Sequence, residues 1–150
     1  LVLTMDSTRP ARALLWTADL NGDGFPDMIA DFPAPENLLE VSLGRNDTTF
    51  SSACFKLNSP ISVSSNGDLE ILDMNGDGIM DLVVLNEVDR SIEVYTGLGE
   101  GTFMPGFHLI STKGLGGFTL GDVNRDGTPE LIITDSESGV LKILSPGKER

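Results

Sequence analysis

Three nine-residue stretches hold the side chains of this sequence best suited to chemistry: DLNGDGFPD at 19–27, DMNGDGIMD at 73–81 and DVNRDGTPE at 122–130. Each sets an acid or amide at positions one, three, five and nine, with glycine at six. In a tightly turned loop alternate residues point inward, so these oxygens and the backbone carbonyl of position seven can surround one cation. The first loop offers Asp19, Asn21, Asp23, the carbonyl of Phe25, and Asp27. The second offers Asp73, Asn75, Asp77, the carbonyl of Ile79, and Asp81, and the third Asp122, Asn124, Asp126, the carbonyl of Thr128, and Glu130. Glycine at six (Gly24, Gly78, Gly127) suits a sharp turn that a Cβ would penalise. An all-oxygen set selects a hard cation, and no His or Cys lies near the loops to favour zinc or copper. Magnesium demands a strict octahedron and keeps its waters, so the expected ion is calcium, about three in all. The turn propensities of Asn, Asp and Gly would account for one such stretch, but not for three in one frame.

The charge balance agrees. The 150 residues include 23 acids and 10 basic residues, a formal net charge of −13, and nine of the acids sit in the three loops. Three divalent ions would bring six positive charges and leave −7, so much of the acidity reads as ligand inventory. Phosphate neutralisation needs clustered Lys and Arg, which excludes a nucleic-acid partner. No run approaches the ~20 apolar residues of a membrane span. The single cysteine, Cys54, rules out an internal disulfide and reads as a small buried apolar residue. The opening LVLTMDS has no initiator Met and no charged-then-apolar leader, so the chain is read as a mature product or a fragment.

The elements around the loops must be strands. The loops begin 54 and 49 residues apart (19 to 73, 73 to 122), and a unit of about fifty residues is the size of a four-stranded propeller blade. Each loop leads into a short run rich in β-branched residues, with no sustained helical stripe. In the first unit strands are expected over Arg12–Thr17, Asp27–Phe32, Leu38–Leu43 and Ala53–Leu57, with a break at Pro33, Pro35 and Asn37. The second is expected over Leu69–Leu72, Asp81–Leu85, Ile92–Thr96 and Phe103–Ile110, and the third over Phe118–Leu120, Glu130–Thr134 and Val140–Leu144. The third unit lacks a fourth strand, while Leu1–Met5 has the character of one, placed to complete a neighbouring blade. The expected fold is therefore all-β: about three four-stranded antiparallel β-propeller blades in one repeat domain, with units near 12–58, 68–111 and 117–145. Closed rings usually need four to eight blades, so this is either part of a longer propeller or a set of blades completed by other copies of the chain. A second repeat supports the register: the segment 92–103 matches 39–50, each a strand, a glycine turn and a Thr-Phe pair, the aromatic placed to pack between neighbouring sheets and read by preference as ordinary core (Phe50 and Phe103).

A helix–loop–helix calcium hand opens with the same residues but requires a bidentate Glu at position twelve. Here position twelve is Ala30, Val84 and Ile133, each inside an apolar strand-like run. The loops therefore link strands. Together with the Gly97–Phe103 stretch GLGEGTF, they resemble the calcium loops of FG-GAP and VCBS repeats, as in the integrin α-subunit propeller and many bacterial surface proteins. The resemblance implies calcium between the first two strands of each blade, a stabilising ion that does no chemistry, and an extracellular or cell-surface module for adhesion or assembly. Arg125 in place of glycine and Glu130 in place of Asp depart from the pattern and predict a weaker or differently shaped third site. The Gly-Ala-Pro signature is missing.

No enzyme is expected. His108 is the only histidine, no Gly-x-Ser-x-Gly stretch occurs, and the acids outside the loops form no recognisable pair. The alternatives are a lectin-like module using Trp16, Tyr95, Phe25 or Phe107 as stacking platforms for a glycan and, behind it, a hydrolase on a propeller scaffold. Assembly could run head to tail, strand Leu1–Met5 of one copy completing the third blade of the next. Asn46-Asp47-Thr48 is the only N-glycosylation sequon.

Overall fold

A computed structural model of the chain describes residues 14–32, 38–51, 55–57, 69–86 and 89–145. Among these, every regular element is a strand. The first sheet is β1 (Leu14–Ala18), β2 (Asp27–Phe32), β3 (Leu38–Ser42) and β4 (Phe55–Leu57); the second is β5 (Leu69–Leu72), β6 (Asp81–Asn86), β7 (Ser91–Tyr95) and β8 (Phe107–Ser111). The third has three strands, β9 (Leu115–Gly121), β10 (Glu130–Asp135) and β11 (Val140–Leu144). Each sheet is an antiparallel meander in chain order, and none closes on itself. No helix among the described residues is long and apolar enough to cross a membrane.

The second strand of each unit sets the stacking, because its side chains alternate between two buried faces. In β6, Leu82 and Val84 pack with Ile29, Leu39 and Val41 of the first sheet, while Val83 and Leu85 pack with Leu115, Phe118, Leu131 and Ile133 of the third. The middle sheet is thus covered on both sides, and β6 and β7 are buried along their whole length. The flanking sheets keep the frame where they meet the middle one: Ile29, at position eleven of the first unit, faces the second sheet, and so do Leu131 and Ile133, at positions ten and twelve of the third. Polar ties join the second and third sheets as well, the Leu120 N–H donating to Glu70 (3.3 Å) and the Arg90 guanidinium to the Leu115 carbonyl (3.1 Å).

Two expected boundaries move by more than one residue. The last strand of the second unit begins at Phe107 instead of Phe103. Phe103 makes one isolated bridge to Gly97, closing a turn in which Gly99 and Gly101 have φ of 80° and 68°. Met104, Pro105 and Gly106 then separate that bridge from the ladder, since proline has no N–H to donate. Phe50 makes the matching bridge to Gly44. In the third unit the first strand begins at Leu115, whose buried side chain extends β9, with a register shift opposite Thr134 and Asp135. The Phe103 ring meets Phe55 of the first sheet edge-on, centroids 5.2 Å apart, the inter-sheet role expected of that aromatic. The expected strand Leu1–Met5, the starts of the strands expected at Arg12 and Ala53, Cys54, and the break at Pro33, Pro35 and Asn37 lie outside the described residues.

Candidate metal centre

All three acidic loops occupy the same place, the turn between the first and second strand of a sheet: β1–β2, β5–β6 and β9–β10. Each is organised by its first residue. Asp19 accepts the N–H groups of Gly22 (2.8 Å), Asp23 (3.1 Å) and Gly24 (2.9 Å), and Asp73 those of Gly76 (2.7 Å), Asp77 (3.1 Å) and Gly78 (2.8 Å). The chain is thereby wound around one carboxylate. Position three accepts the N–H of position five (3.1, 2.8 and 2.8 Å for Asn21, Asn75 and Asn124) and donates its amide to the carboxylate there (3.0, 2.9 and 3.1 Å). Position five accepts the N–H of position seven: Asp23 from Phe25 (2.9 Å), Asp77 from Ile79 (2.8 Å) and Asp126 from Thr128 (3.0 Å). Position six is left-handed each time, with φ of 85°, 86° and 88° for Gly24, Gly78 and Gly127, as its glycine predicts.

Position nine is placed differently. Asp27 and Asp81 are buried behind their loops and staple the hairpin from two directions. Asp27 accepts the Leu20 N–H (2.7 Å) and the Gly44 N–H (2.8 Å); Asp81 accepts those of Met74 (2.9 Å) and Gly97 (2.8 Å). The glycines are needed for this approach: a Cβ would lie 2.2 Å from the Pro26 carbonyl oxygen at Gly44 and 2.2 Å from that of Met80 at Gly97. Their role was missed in the sequence, although a glycine two residues beyond the third strand recurs in both units.

The third loop departs where its sequence does. Asp122 accepts the N–H groups of Asp126 (3.0 Å) and Gly127 (2.9 Å), and Arg125 takes the left-handed conformation, φ 62°, that glycine holds in the other two. A side chain there costs about 1–2 kcal/mol. Glu130 accepts from the backbone N–H of Val123 (2.9 Å), the Asn124 side-chain amide (2.5 Å) and the Ser145 hydroxyl (3.4 Å). The residue two beyond Leu144, where Gly44 and Gly97 stand in the other units, is Pro146, which has no N–H. The longer carboxylate instead finds its second set of donors within its own loop and at Ser145.

The structure therefore gathers positions one, three and five of each loop around shared N–H groups at the surface and holds position nine behind them. Among the described residues no three acidic, His or Cys side chains converge closely enough to form a ready cation cage. The donor set fits a hard cation in kind, since every side chain at positions one, three, five and nine carries an oxygen, and a carboxylate oxygen accepting one N–H keeps a lone pair free.

Elsewhere, Tyr95 is buried and donates to Glu93 (2.6 Å), Trp16 is half-buried against the core, and Phe25 is exposed at a loop tip. His108 lies 3.9 Å from Glu93. Asp135, at the β10–β11 turn, accepts from Ser138 (3.2 Å), Lys142 (3.2 Å) and Thr112 (3.1 Å), which holds its carboxyl well below the usual range. The turn carrying Asn46-Asp47-Thr48 is exposed, and Asp47 accepts both the N–H (3.0 Å) and hydroxyl (2.5 Å) of Thr49, lowering its pKa.

Residues 73–133, from the first residue of the second loop into β10, match the model of the FG-GAP-like repeat family. No curated protein matches the chain. The first loop lies outside the matched residues yet repeats the hydrogen bonding of the second.

Proposed function

We propose that this chain is a non-enzymatic calcium-binding repeat module of an extracellular or cell-surface protein, its sheets arranged as propeller blades and serving adhesion or assembly. The observation that carries the reading is the recurrence of one loop, wound on one carboxylate with glycine left-handed at position six, in the same hairpin of three successive sheets. Bound calcium would neutralise clustered carboxylates and tie together the two strands that each loop joins. The residues that would hold it are Asp19, Asn21, Asp23 and the Phe25 carbonyl, then Asp73, Asn75, Asp77 and the Ile79 carbonyl, then Asp122, Asn124, Asp126 and the Thr128 carbonyl. Asp27, Asp81 and Glu130 would close each set, or hold the hairpin from behind as they do here. Partners in this reading are other copies, further blades, or a protein or glycan ligand.

Thermal unfolding with calcium, with magnesium and with excess chelator tests the ion. A ligand at a hundred times its Kd adds about 2.7 kcal/mol per site, so calcium should raise Tm by several degrees and magnesium by much less. Identical melts in calcium and chelator would sink the proposal.

A further inference from the structure

The first two loops each carry an Asn-Gly pair at positions three and four, Asn21-Gly22 and Asn75-Gly76, where the third has Asn124-Arg125. An asparagine followed by glycine is open to an intramolecular reaction. The glycine nitrogen loses its proton to solvent base and attacks the asparagine Cγ, and the side-chain nitrogen leaves as ammonia. Water then opens the resulting cyclic imide at either carbonyl, giving aspartate or isoaspartate. The net change converts an amide and a water into a carboxylic acid and ammonia, with nothing oxidised or reduced. Glycine favours the attack because no Cβ crowds its nitrogen. In these loops the glycine answers to the backbone: Gly22 and Gly76 are left-handed, φ 75° and 78°, with open space where a Cβ would lie. The conformation that suits the loop thus puts a labile pair in it.

The folded loop engages both reacting groups elsewhere. The proton of the attacking nitrogen is given to the first carboxylate of the loop, Gly22 N–H to Asp19 at 2.8 Å and Gly76 N–H to Asp73 at 2.7 Å. A hydrogen bond to an anion holds the N–H in place, since losing that proton would set two negative charges side by side. The carboxamide under attack is held at both ends by position five. Its oxygen accepts the N–H of Asp23 or Asp77 (3.1 and 2.8 Å), and its NH2 donates to the same residue's carboxylate (3.0 and 2.9 Å). We propose that Asn21 and Asn75 are sites of spontaneous deamidation that the wound loops suppress, so that conversion there marks chains whose loops have opened. Aspartate at position three adds a carboxylate to an acidic loop. Isoaspartate inserts a methylene into the main chain and shifts every donor that Asp19 or Asp73 gathers. Asn124 stays apart, because Arg125 bears a Cβ beside the nitrogen. The inference goes beyond the function proposed above and does not depend on calcium, because the protecting bonds lie within the loop.

Peptide mapping by mass spectrometry tests it, after incubation at mildly alkaline pH of the chain folded, below its melt, and in urea, each with calcium and with chelator. Asn21 and Asn75 should convert at least about tenfold more slowly in the folded chain, the factor that one hydrogen bond to a charged group supplies. In urea both should convert much faster than Asn124. Asn66-Gly67, the remaining Asn-Gly pair of the sequence, lies outside the described residues and serves as the reference in urea, where it should keep pace with the other two. Asp19→Ala should speed conversion of Asn21 in the folded chain and leave Asn75 unchanged. If that variant does not fold, Asp23→Ala, which releases the Asn21 amide, takes its place. Equal rates in the folded chain and in urea, an Asn21 rate moved by neither variant, or an Asn124 as fast as Asn21 in urea overturns the proposal. Failure of the calcium reading would be seen separately, as melts that ignore the ion.

Discussion

Asp31 sits in β2 on the face turned toward the second sheet, where the equivalent residue of the next unit is Leu85. It is buried, no described residue hydrogen-bonds to its carboxyl, and loss of water pushes its pKa from 3.8 up to about 6. A carboxyl that prefers to be protonated when folded binds more protons in the native than in the unfolded state between those values. Stability should therefore fall as pH rises from about 4 to about 6, and level off above. Asp31→Asn should remove that slope and stabilise the protein at pH 7.5 by about 1–2 kcal/mol, less than the full shift because solvent still screens a group near a strand end. Urea unfolding of both proteins across pH 4–8 measures it; parallel pH profiles would exclude the assignment. At this scale the loop chemistry was legible, because the hydrogen bonds that wind positions one to seven run within the nine-residue loop itself. The staple made by Asp27 and Asp81 was not, because its second partner is 17 or 16 residues away and depends on how β3 and β7 register against β2 and β6.

Among the elements, most strands were legible from apolar runs bounded by Gly, Asn and Asp, and the weakest expectation lay where an aromatic looked like the start of a strand. Phe103 has the residue type of a strand but belongs to a turn; two left-handed glycines and a following proline decide the matter, and what the aromatic supplies is packing. Its ring joins the core between the first two sheets. Phe103→Ala should cost about 3–4 kcal/mol, as usual for emptying an aromatic site in a core. The loss should appear as a lower denaturation midpoint with the m-value unchanged; an effect below about 1 kcal/mol, the level of ordinary surface changes, would mean that the ring does not hold the sheets together.

Across the whole molecule, burial is graded by position in the stack. The second sheet has an apolar neighbour on each side; the first and third have faces turned away from it. Amides of β6 and β7 should thus exchange hydrogen most slowly, approaching the global unfolding free energy, and those of β11 should exchange fastest among the strands. Equal protection of β7 and β11 in a dilute sample would contradict this ordering. The stacking order was legible in outline from the fifty-residue period, but which face meets which neighbour was not, since a period counts units without orienting them.

The bond from Asp27 to Gly44, and its twin from Asp81 to Gly97, also works as a proofreading device. It can form only when the third strand lies in one register against the second, because a slip of one residue would carry the glycine away from the carbonyl it must approach and bring a Cβ there instead. In a chain built of look-alike units, where the third strand of one repeat could pair with the second strand of another, such a check acts inside each hairpin before the sheets stack. The unit that ends in Pro146 lacks this glycine, so its third strand is the one whose pairing the chain leaves least tightly specified.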